Sequence, residues 1–193
     1  MDTLRPFDRT LVPPSSHVDA ARPHARAAVQ PFTATELEAA WADWSRYSPV
    51  LADVLLVLAR TGLRWGEARA VTVADADPEQ LVVDKSAGEG SSLRQLRPDQ
   101  VRRVPVPNRV RPVLRQLLVG RDGCEPLFTT SLGCQLRRAH VLRRLNWSVT
   151  GRGRSLPDLR RTAEAIWLAE GVAPATVQGW LGLSRPGASI SAR

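Results

Sequence analysis

The chain has 193 residues with a formal net charge of +8, and 26 of its 27 basic side chains are arginine. No apolar run approaches the roughly 18 residues that a membrane-spanning helix needs, and Cys124 and Cys134 are too few for a disulfide framework. The three histidines are scattered and no phosphate-binding loop motif occurs, so we expect a cytoplasmic protein without a membrane segment, metal or other cofactor.

The positive charge is concentrated in one part of the chain. Residues 1–96 carry a net charge of −3 and residues 162–193 are balanced, whereas residues 97–161 hold 15 arginines against four acidic side chains. A folded region this basic predicts a surface that faces phosphates, and double-stranded DNA is the expected partner. A solvated basic surface without a partner is the alternative interpretation.

The N-terminal part differs in composition from the rest. Residues 1–30 contain four prolines and little periodicity, which predicts a flexible segment or the remnant of a linker. The folded domain is expected over residues 31–193. Its first helix should begin within "PFTATELEAAWADW", where two Thr/Glu pairs, one of them Thr33 with Glu36, fit a capping box.

The remainder alternates helical runs with two short apolar strands. "SPVLADVLLVLARTG" predicts a buried helix that starts at Pro49 and stops at Gly62, and the short helix "WGEARAV" follows. "QLVV" and "RRVPV", separated by a Gly/Ser-containing loop, predict strands of a small sheet. Four further helices are predicted in "NRVRPVLRQLLVG", "GCQLRRAHVLRRLNW", "PDLRRTAEAIWLAEG" and "APATVQGWLG". The expected class is α+β, mainly α.

Two arginines stand where a helix begins. Arg64 lies in the turn between two predicted helices, and Glu67, three residues later, can orient it; a surface arginine that caps a helix is the alternative. Arg160 lies in the first turns of a helix opened by Pro157, where its guanidinium and the helix N–H groups could form a phosphate site. An ordinary amphipathic helix would also explain that second stretch.

Lys85 is the only lysine of the chain. Arginine holds its proton throughout the ordinary pH range, whereas lysine can give one up when its pKa is lowered. A single lysine among arginines therefore predicts a proton donor. The alternative is a lysine that survives by chance in a loop.

Together these segments resemble the tyrosine recombinases, or phage-type integrases, over roughly residues 31–193. Their first box is close to T-G-L-R-x-G-E, and "TGLRWGE" (61–67) matches it fully. A lysine on a β-hairpin and a strand ending in R-x-V-P follow, as Lys85 and "RRVPVP" do here. The second box, H-D-L-R-H-T, corresponds to "PDLRRT" (157–162), and the third, V-Q-x-x-L-G-H, to "VQGWLGL" (177–183).

The resemblance implies a mainly helical catalytic domain with a small antiparallel sheet and a metal-free reaction on DNA. Arg64 and Arg160 would bind the non-bridging oxygens of the scissile phosphate. A tyrosine would attack the phosphorus, and Lys85 would protonate the leaving 5′ oxygen. Glu67 would support the first arginine, and Arg161 would retain a phosphate donor where the family has histidine.

The sequence departs from the family at several positions. Pro157 and Leu183 occupy histidine positions, and the nucleophilic tyrosine expected shortly after Leu183 is missing, since the only tyrosine is Tyr47. Residues 1–30, with their four prolines, are not expected to replace the N-terminal DNA-clamping domain of most members. We therefore expect a C-terminally truncated or decayed catalytic domain that binds DNA and is inactive alone, needing a tyrosine in cis or from another recombinase protomer.

Two other interpretations remain open at this point. "RTAEAIWLAEGVAPATVQGWLG" (161–182) also fits a helix–turn–helix of a non-enzymatic DNA-binding protein, with Val177 and Trp180 inward and Thr176 and Gln178 as base-reading candidates. A gene remnant without a selected function is the other.

Overall fold

A computed structural model describes residues 30–90 and 92–183. The predicted N-terminal segment, apart from Gln30, lies outside these described residues, and so does the stretch after Leu183. Within the described part of the chain there are eight α-helices and four short strands, which confirms the predicted class of α+β, mainly α. None of these helices is long and apolar enough to cross a membrane.

The first two helices form the centre of the domain. Helix α1 (Ala34–Tyr47) is closed by the Thr33–Glu36 capping box, in which Thr33 N–H donates to Glu36 Oε2 at 2.9 Å. Helix α2 (Pro49–Thr61) is buried along nearly its whole length, because most of its side chains are apolar. It packs against α1 on one side and against a later helix, α7 (Leu156–Ala169), on another.

The strands form two separate antiparallel pairs. The predicted strands are confirmed as β1 (Gln80–Val83) and β4 (Arg102–Pro105), which pair with Leu81 opposite Val104. The connection between them folds into a second pair, β2 (Lys85–Ala87) with β3 (Leu93–Gln95). The exposed side chains of β3 explain why apolar periodicity does not predict this hairpin.

Six further helices complete the domain, and two of the predicted helices differ from those observed. Helix α3 covers only four residues, and the predicted helix through Trp147 is broken at Asn146, which takes a left-handed conformation (φ 49°). An isolated left-handed residue cannot continue an α-helix, so two short helices replace one. These six helices are α3 (Trp65–Ala68), α4 (Arg111–Leu118), α5 (Arg138–Arg144), α6 (Trp147–Thr150), α7 (Leu156–Ala169) and α8 (Pro174–Leu181).

Aromatic packing brings distant helices together. Trp44 of α1 stacks on Trp147 of α6 with ring centroids 5.4 Å apart, and Phe32 meets Trp44 edge-on. The Phe32 N–H donates to Thr162 Oγ1 of α7 at 3.1 Å, across 130 residues of sequence. These contacts, with the packing of α2 on α7, bring the start of α7 to the end of α2.

Candidate functional site

The junction between α2 and α3 holds Arg64 at the surface. Helix α2 stops at Gly62, whose φ of 63° is left-handed, and Arg64 directly precedes α3. A Cβ atom at Gly62 would lie 2.7 Å from Leu181 Cδ2, so α8 approaches this turn closely enough to require glycine. The Arg64 side chain is 42% exposed, and its guanidinium can therefore meet a ligand from solvent.

Glu67 lies beneath Arg64 and is 1% exposed. Its carboxylate accepts from the Arg64 backbone N–H at 2.8 Å and from Arg64 Nη1 at 3.0 Å. It also accepts from Arg102, from Nη2 at 2.7 Å and from Nη1 at 3.0 Å. Burial acts to raise the pKa of Glu67, but the hydrogen bonds and charge of Arg102, with a smaller contribution from Arg64, hold it below its ordinary value of 4.5. Glu67 is thus a buried anion shared by two arginines.

Arg102 belongs to this cluster, although sequence reasoning did not select it. It is the first residue of β4, its side chain is 6% exposed, and its Nε donates to the carbonyl of Trp180 at 2.7 Å. A usable signal was present in the strand. Arg102 shares the buried face of β4 with Val104, and an arginine in such a register indicates a buried partner.

Arg160 approaches the same junction from α7. Its Nη1 donates to the Gly62 carbonyl at 2.8 Å, and its Nη2 donates to the Leu181 carbonyl. Burial, and then the positive charge of Arg64, lower the pKa of Arg160 to about 10. Arg160 is still a cation at neutral pH, and a bound anion would relieve the unfavourable environment of its charge.

The start of α7 is arranged differently from the prediction. Asp158 accepts from the Ser155 backbone N–H at 2.8 Å and from the Ser155 hydroxyl at 2.7 Å, which closes the helix with a capping box. The Arg160 guanidinium lies against the carbonyls at the ends of α2 and α8 instead of joining N–H groups at the start of α7. Its position five residues into the helix directs the side chain toward those neighbouring elements.

The positions at which the second and third boxes depart from the family, Pro157, Arg161 and Leu183, lie at the surface. Pro157 is exposed in the first turn of α7, and Arg161 is exposed with Nη1 donating to Asp158 at 3.3 Å. Leu183 is 47% exposed just beyond α8. Tyr47, the last residue of α1, is 39% exposed, and in the described part of the chain no hydrogen bond joins α1 to Arg64, Glu67, Arg102 or Arg160.

Lys85 begins strand β2, in the hairpin with β3. Its ammonium lies 2.8 Å from Asp75 Oδ2 and 3.8 Å from Asp84 Oδ1, and the side chain is 14% exposed. Burial acts to raise the pKa of Asp75, but the hydrogen bonds from Lys85 and Thr72 outweigh it and lower the pKa. In the described part of the chain, the ion-pair partners of Lys85 are therefore carboxylates of its own neighbourhood.

The arginine cluster, defined as Arg64, Glu67, Arg102 and Arg160, has positive charge in excess. Arg64 and Arg102 form ion pairs with Glu67, at 3.0 Å and 2.7 Å, whereas Arg160 is held by the carbonyls of Gly62 and Leu181. Arg64 and Arg160 each retain guanidinium N–H groups beyond those that donate in these contacts, whereas the Arg102 side chain is 6% exposed. A planar guanidinium suits phosphate oxygens, so the cluster is equipped to bind an oxyanion from solvent.

Helices α7 and α8 pack together as the helix–turn–helix interpretation expected. Val177 is buried, and Trp180 meets Trp167 edge-on with ring centroids 5.2 Å apart. Thr176 and Gln178 are exposed on α8. The C-terminal end of α8, however, is held by Arg102 and Arg160 through its backbone carbonyls, which ties it to the arginine cluster.

Another concave feature lies elsewhere. A cavity of about 530 Å³ lies between the start of α1 and the end of α7, lined by apolar side chains that include Phe32, Ile166 and Ala169. None of the cluster residues lines it. The described residues contain no group of three or more His, Cys, Asp or Glu side chains placed to hold a metal ion.

Comparison with known proteins finds solved structures that resemble this chain. No protein-family model and no curated protein matches the sequence. The Tn1549 transposon integrase in complex with circular intermediate DNA has a TM-score of 0.64 and 19% identity, over 80% of this chain and 59% of that chain. XerA recombinase has a TM-score of 0.60 and 17% identity, over 84% of this chain and 57% of that one.

A third structure covers both chains evenly. The catalytic domain of bacteriophage HP1 integrase has a TM-score of 0.54 and 17% identity, over 81% of this chain and 82% of that domain. The chain thus spans less than two thirds of the Tn1549 and XerA structures but most of an isolated catalytic domain. The predicted fold is confirmed: the chain has the fold of the catalytic domain of tyrosine recombinases and phage integrases.

Proposed function

We propose that this chain binds double-stranded DNA by holding a backbone phosphate between Arg64 and Arg160. The observation that carries the proposal is the convergence of these arginines, from different motifs of the sequence, on one turn: Arg64 donates to the buried carboxylate of Glu67, and Arg160 donates to the carbonyl of Gly62, two residues before Arg64. Because guanidinium groups in excess of their carboxylate partners attract an oxyanion, a phosphodiester is the chemical group that fits.

The charge distribution and the structural relatives support DNA as the partner. Arg137, Arg138, Arg143 and Arg144 on or next to α5 are exposed and lie within the basic stretch of residues 97–161. The Tn1549 integrase and XerH recombinase structures with this fold are complexes with DNA. We infer that these exposed arginines contact further backbone phosphates, so that affinity depends on charge more than on sequence.

The chemistry proposed for the site is that of the tyrosine recombinases. Arg64 and Arg160 would stabilise the charge that develops on the phosphate oxygens, and Lys85 would protonate the leaving oxygen after exchanging Asp75 for it. Neither step needs a metal or other cofactor. Cleavage also needs a nucleophile, and Tyr47, at the end of α1, is the only tyrosine among the 193 residues.

We therefore propose that the 193-residue chain binds DNA without cutting it. Strand cleavage would require a tyrosine supplied from outside these residues, by further sequence or by another protomer. Incubating the chain with a nicked suicide duplex should give no protein–DNA adduct that survives denaturation. A covalent adduct would contradict this part of the proposal.

Binding to a labelled mixed-sequence duplex tests the phosphate site directly. Arg64→Ala and Arg160→Ala should each weaken binding about 10- to 100-fold, the range for a lost hydrogen bond to a charged group. Arg46→Ala, an exposed arginine at the end of α1, is the control and should leave affinity nearly unchanged. If neither cluster variant differs from the control, the phosphate site is wrong.

The helix–turn–helix interpretation is tested by the same assay. The exposed position of Thr176 and Gln178 on α8 is the observation in its favour. If α8 reads bases, a Thr176→Ala, Gln178→Ala double variant should weaken binding while Arg64→Ala does not. Our proposal expects the opposite pattern, because phosphate binding at the cluster does not use those two side chains.

A further inference from the structure

Arg102 is buried at the point where three elements of the site meet. Its side chain is 6% exposed, and it uses both ends of its guanidinium: Nη1 and Nη2 donate to Glu67, and Nε donates to the Trp180 carbonyl. It therefore links β4 to α3 and to the end of α8. A side chain this buried is unsuited to contact DNA itself.

The first link leads to Arg64. Glu67 Oε1 accepts from Arg102 Nη1 and from Arg64 Nη1, both at 3.0 Å, so one oxygen serves the two arginines. Glu67 Oε2 accepts from Arg102 Nη2 at 2.7 Å. The two-pronged contact fixes the plane of the carboxylate, and that plane determines where the exposed Arg64 guanidinium lies.

The second link leads to Arg160. Arg102 donates to the Trp180 carbonyl at 2.7 Å, and Arg160 donates to the carbonyl of the next residue, Leu181. Gly182 follows in a left-handed conformation, and a Cβ atom there would lie 3.1 Å from Arg102 Cδ. Arg102 therefore lies directly against the turn that carries the Arg160 contact.

We propose that Arg102 is a positioning residue that sets both phosphate-binding arginines, Arg64 through Glu67 and Arg160 through the end of α8. It does not touch the phosphate. The inference rests on the proposed function, namely that Arg64 and Arg160 bind a DNA phosphate. Its distinctive consequence is energetic coupling between a buried residue and two surface residues.

The test is a thermodynamic cycle on the full 193-residue chain with a labelled mixed-sequence duplex. Arg102→Met should weaken binding about 10- to 100-fold, as much as the loss of a surface arginine contact. In an Arg64→Ala, Arg160→Ala background the same change should have almost no further effect, since the residues that it positions are already gone. The salt dependence of binding should also become shallower, by about one phosphate contact.

Arg69 provides a matched control for burial. It is 6% exposed and donates to the Leu136 carbonyl, the Ala87 carbonyl and Gln135, outside the arginine cluster. Arg69→Met should lower the melting temperature without lowering the affinity of the folded protein for DNA. If Arg102→Met does not fold, Arg102→Lys replaces it in the test. Lysine keeps the positive charge but cannot make the two-pronged contact with Glu67, so this variant should still weaken DNA binding.

Each result separates the two proposals. If Arg64→Ala and Arg160→Ala weaken binding but the folded Arg102 variants do not, the positioning role is wrong and the phosphate site stands. The positioning role is also wrong if Arg102→Met weakens DNA binding equally in the wild-type protein and in the double-alanine background. The same holds for Arg102→Lys if only that variant folds. If the surface arginines themselves have no effect, the phosphate site is wrong as well.

Discussion

The arginine cluster and the β2–β3 hairpin, which holds Lys85, differ in how their partly buried charges are balanced. In the cluster, Arg64 and Arg102 share the carboxylate of Glu67, and Arg160 adds a third positive charge at the Gly62 turn. In the hairpin, Lys85 has two carboxylates nearby, Asp75 at 2.8 Å and Asp84 at 3.8 Å. The cluster is left with positive charge for an external anion, whereas the hairpin is balanced within the protein.

This difference leads us to expect that a basic residue in a matching motif is not by itself a binding group. Arg64 is exposed, and its carboxylate partner is shared with Arg102. Lys85 is less exposed and lies against its own acidic partner. We therefore expect the two regions to respond differently to the loss of a carboxylate, to a steric change, to removal of the cation and to pH.

Removing the central carboxylate should have the largest effect. Glu67→Ala leaves Arg102 buried without its anion, and loss of one partner of a buried pair costs about 3–5 kcal/mol. Asp75→Ala, the matching change at Lys85, should cost less, about 1–3 kcal/mol, because Lys85 can still turn toward Asp84. Urea denaturation measures both, and equal losses would contradict the contrast between the regions.

Two glycines allow a steric comparison. Gly62 (φ +63°) and Gly90 (φ +73°) are both left-handed, but a Cβ atom at Gly62 would meet Leu181 at 2.7 Å, while nothing lies within 4 Å at Gly90. Gly62→Ala should lower the free energy of unfolding by about 1–3 kcal/mol through overpacking, in addition to the cost of backbone strain. Gly90→Ala should show the strain alone, roughly 1–2 kcal/mol. Thermal unfolding of both variants tests whether α8 really closes on the α2–α3 turn.

DNA affinity compares the two cations directly. Arg64→Ala should weaken binding about 10-fold or more and make its salt dependence shallower by about one phosphate contact. Lys85→Met should change neither quantity appreciably, since Asp75 already balances the lysine charge. Fluorescence anisotropy titrations over a range of salt concentrations measure both. A loss for Lys85→Met equal to that for Arg64→Ala would place the lysine on the DNA surface.

The smallest effect concerns acid stability. The pKa of Glu67 is lowered below 4.5 in the folded state, so its stabilising contribution is present above that value and is lost as the pH falls through the lower, folded pKa. The pKa of Asp75 is lowered below 3.8, so its stabilising contribution is also lost as the pH falls, but over a more acidic range. Glu67→Gln should therefore flatten the fall in unfolding free energy just below pH 4.5, and Asp75→Asn should flatten it at lower pH.

Local signals explain much of what could be predicted. Pro49 and Gly62 mark the ends of α2 because proline suits a first helical turn and glycine tolerates a left-handed end. The short valine-containing runs on either side of a Gly/Ser-containing loop predicted β1 and β4, since β-branched residues favour strands. The break at Asn146 is not predicted, because the arginine-rich run before it has helical propensity; asparagine tolerates the left-handed conformation, and Trp147 packs on Trp44 just beyond it.

The sequence by itself determined the class of fold, the helix ends and the order of the motifs that hold Arg64, Lys85 and Arg160, because these depend on neighbouring residues. Tertiary structure alone decided which charges distant in sequence meet. Arg102 reaches Glu67 across 35 residues and Arg160 reaches Gly62 across 98, distances over which no periodicity carries information. The same packing placed Lys85 beside Asp75, since the partner of a charge depends on which elements are in contact.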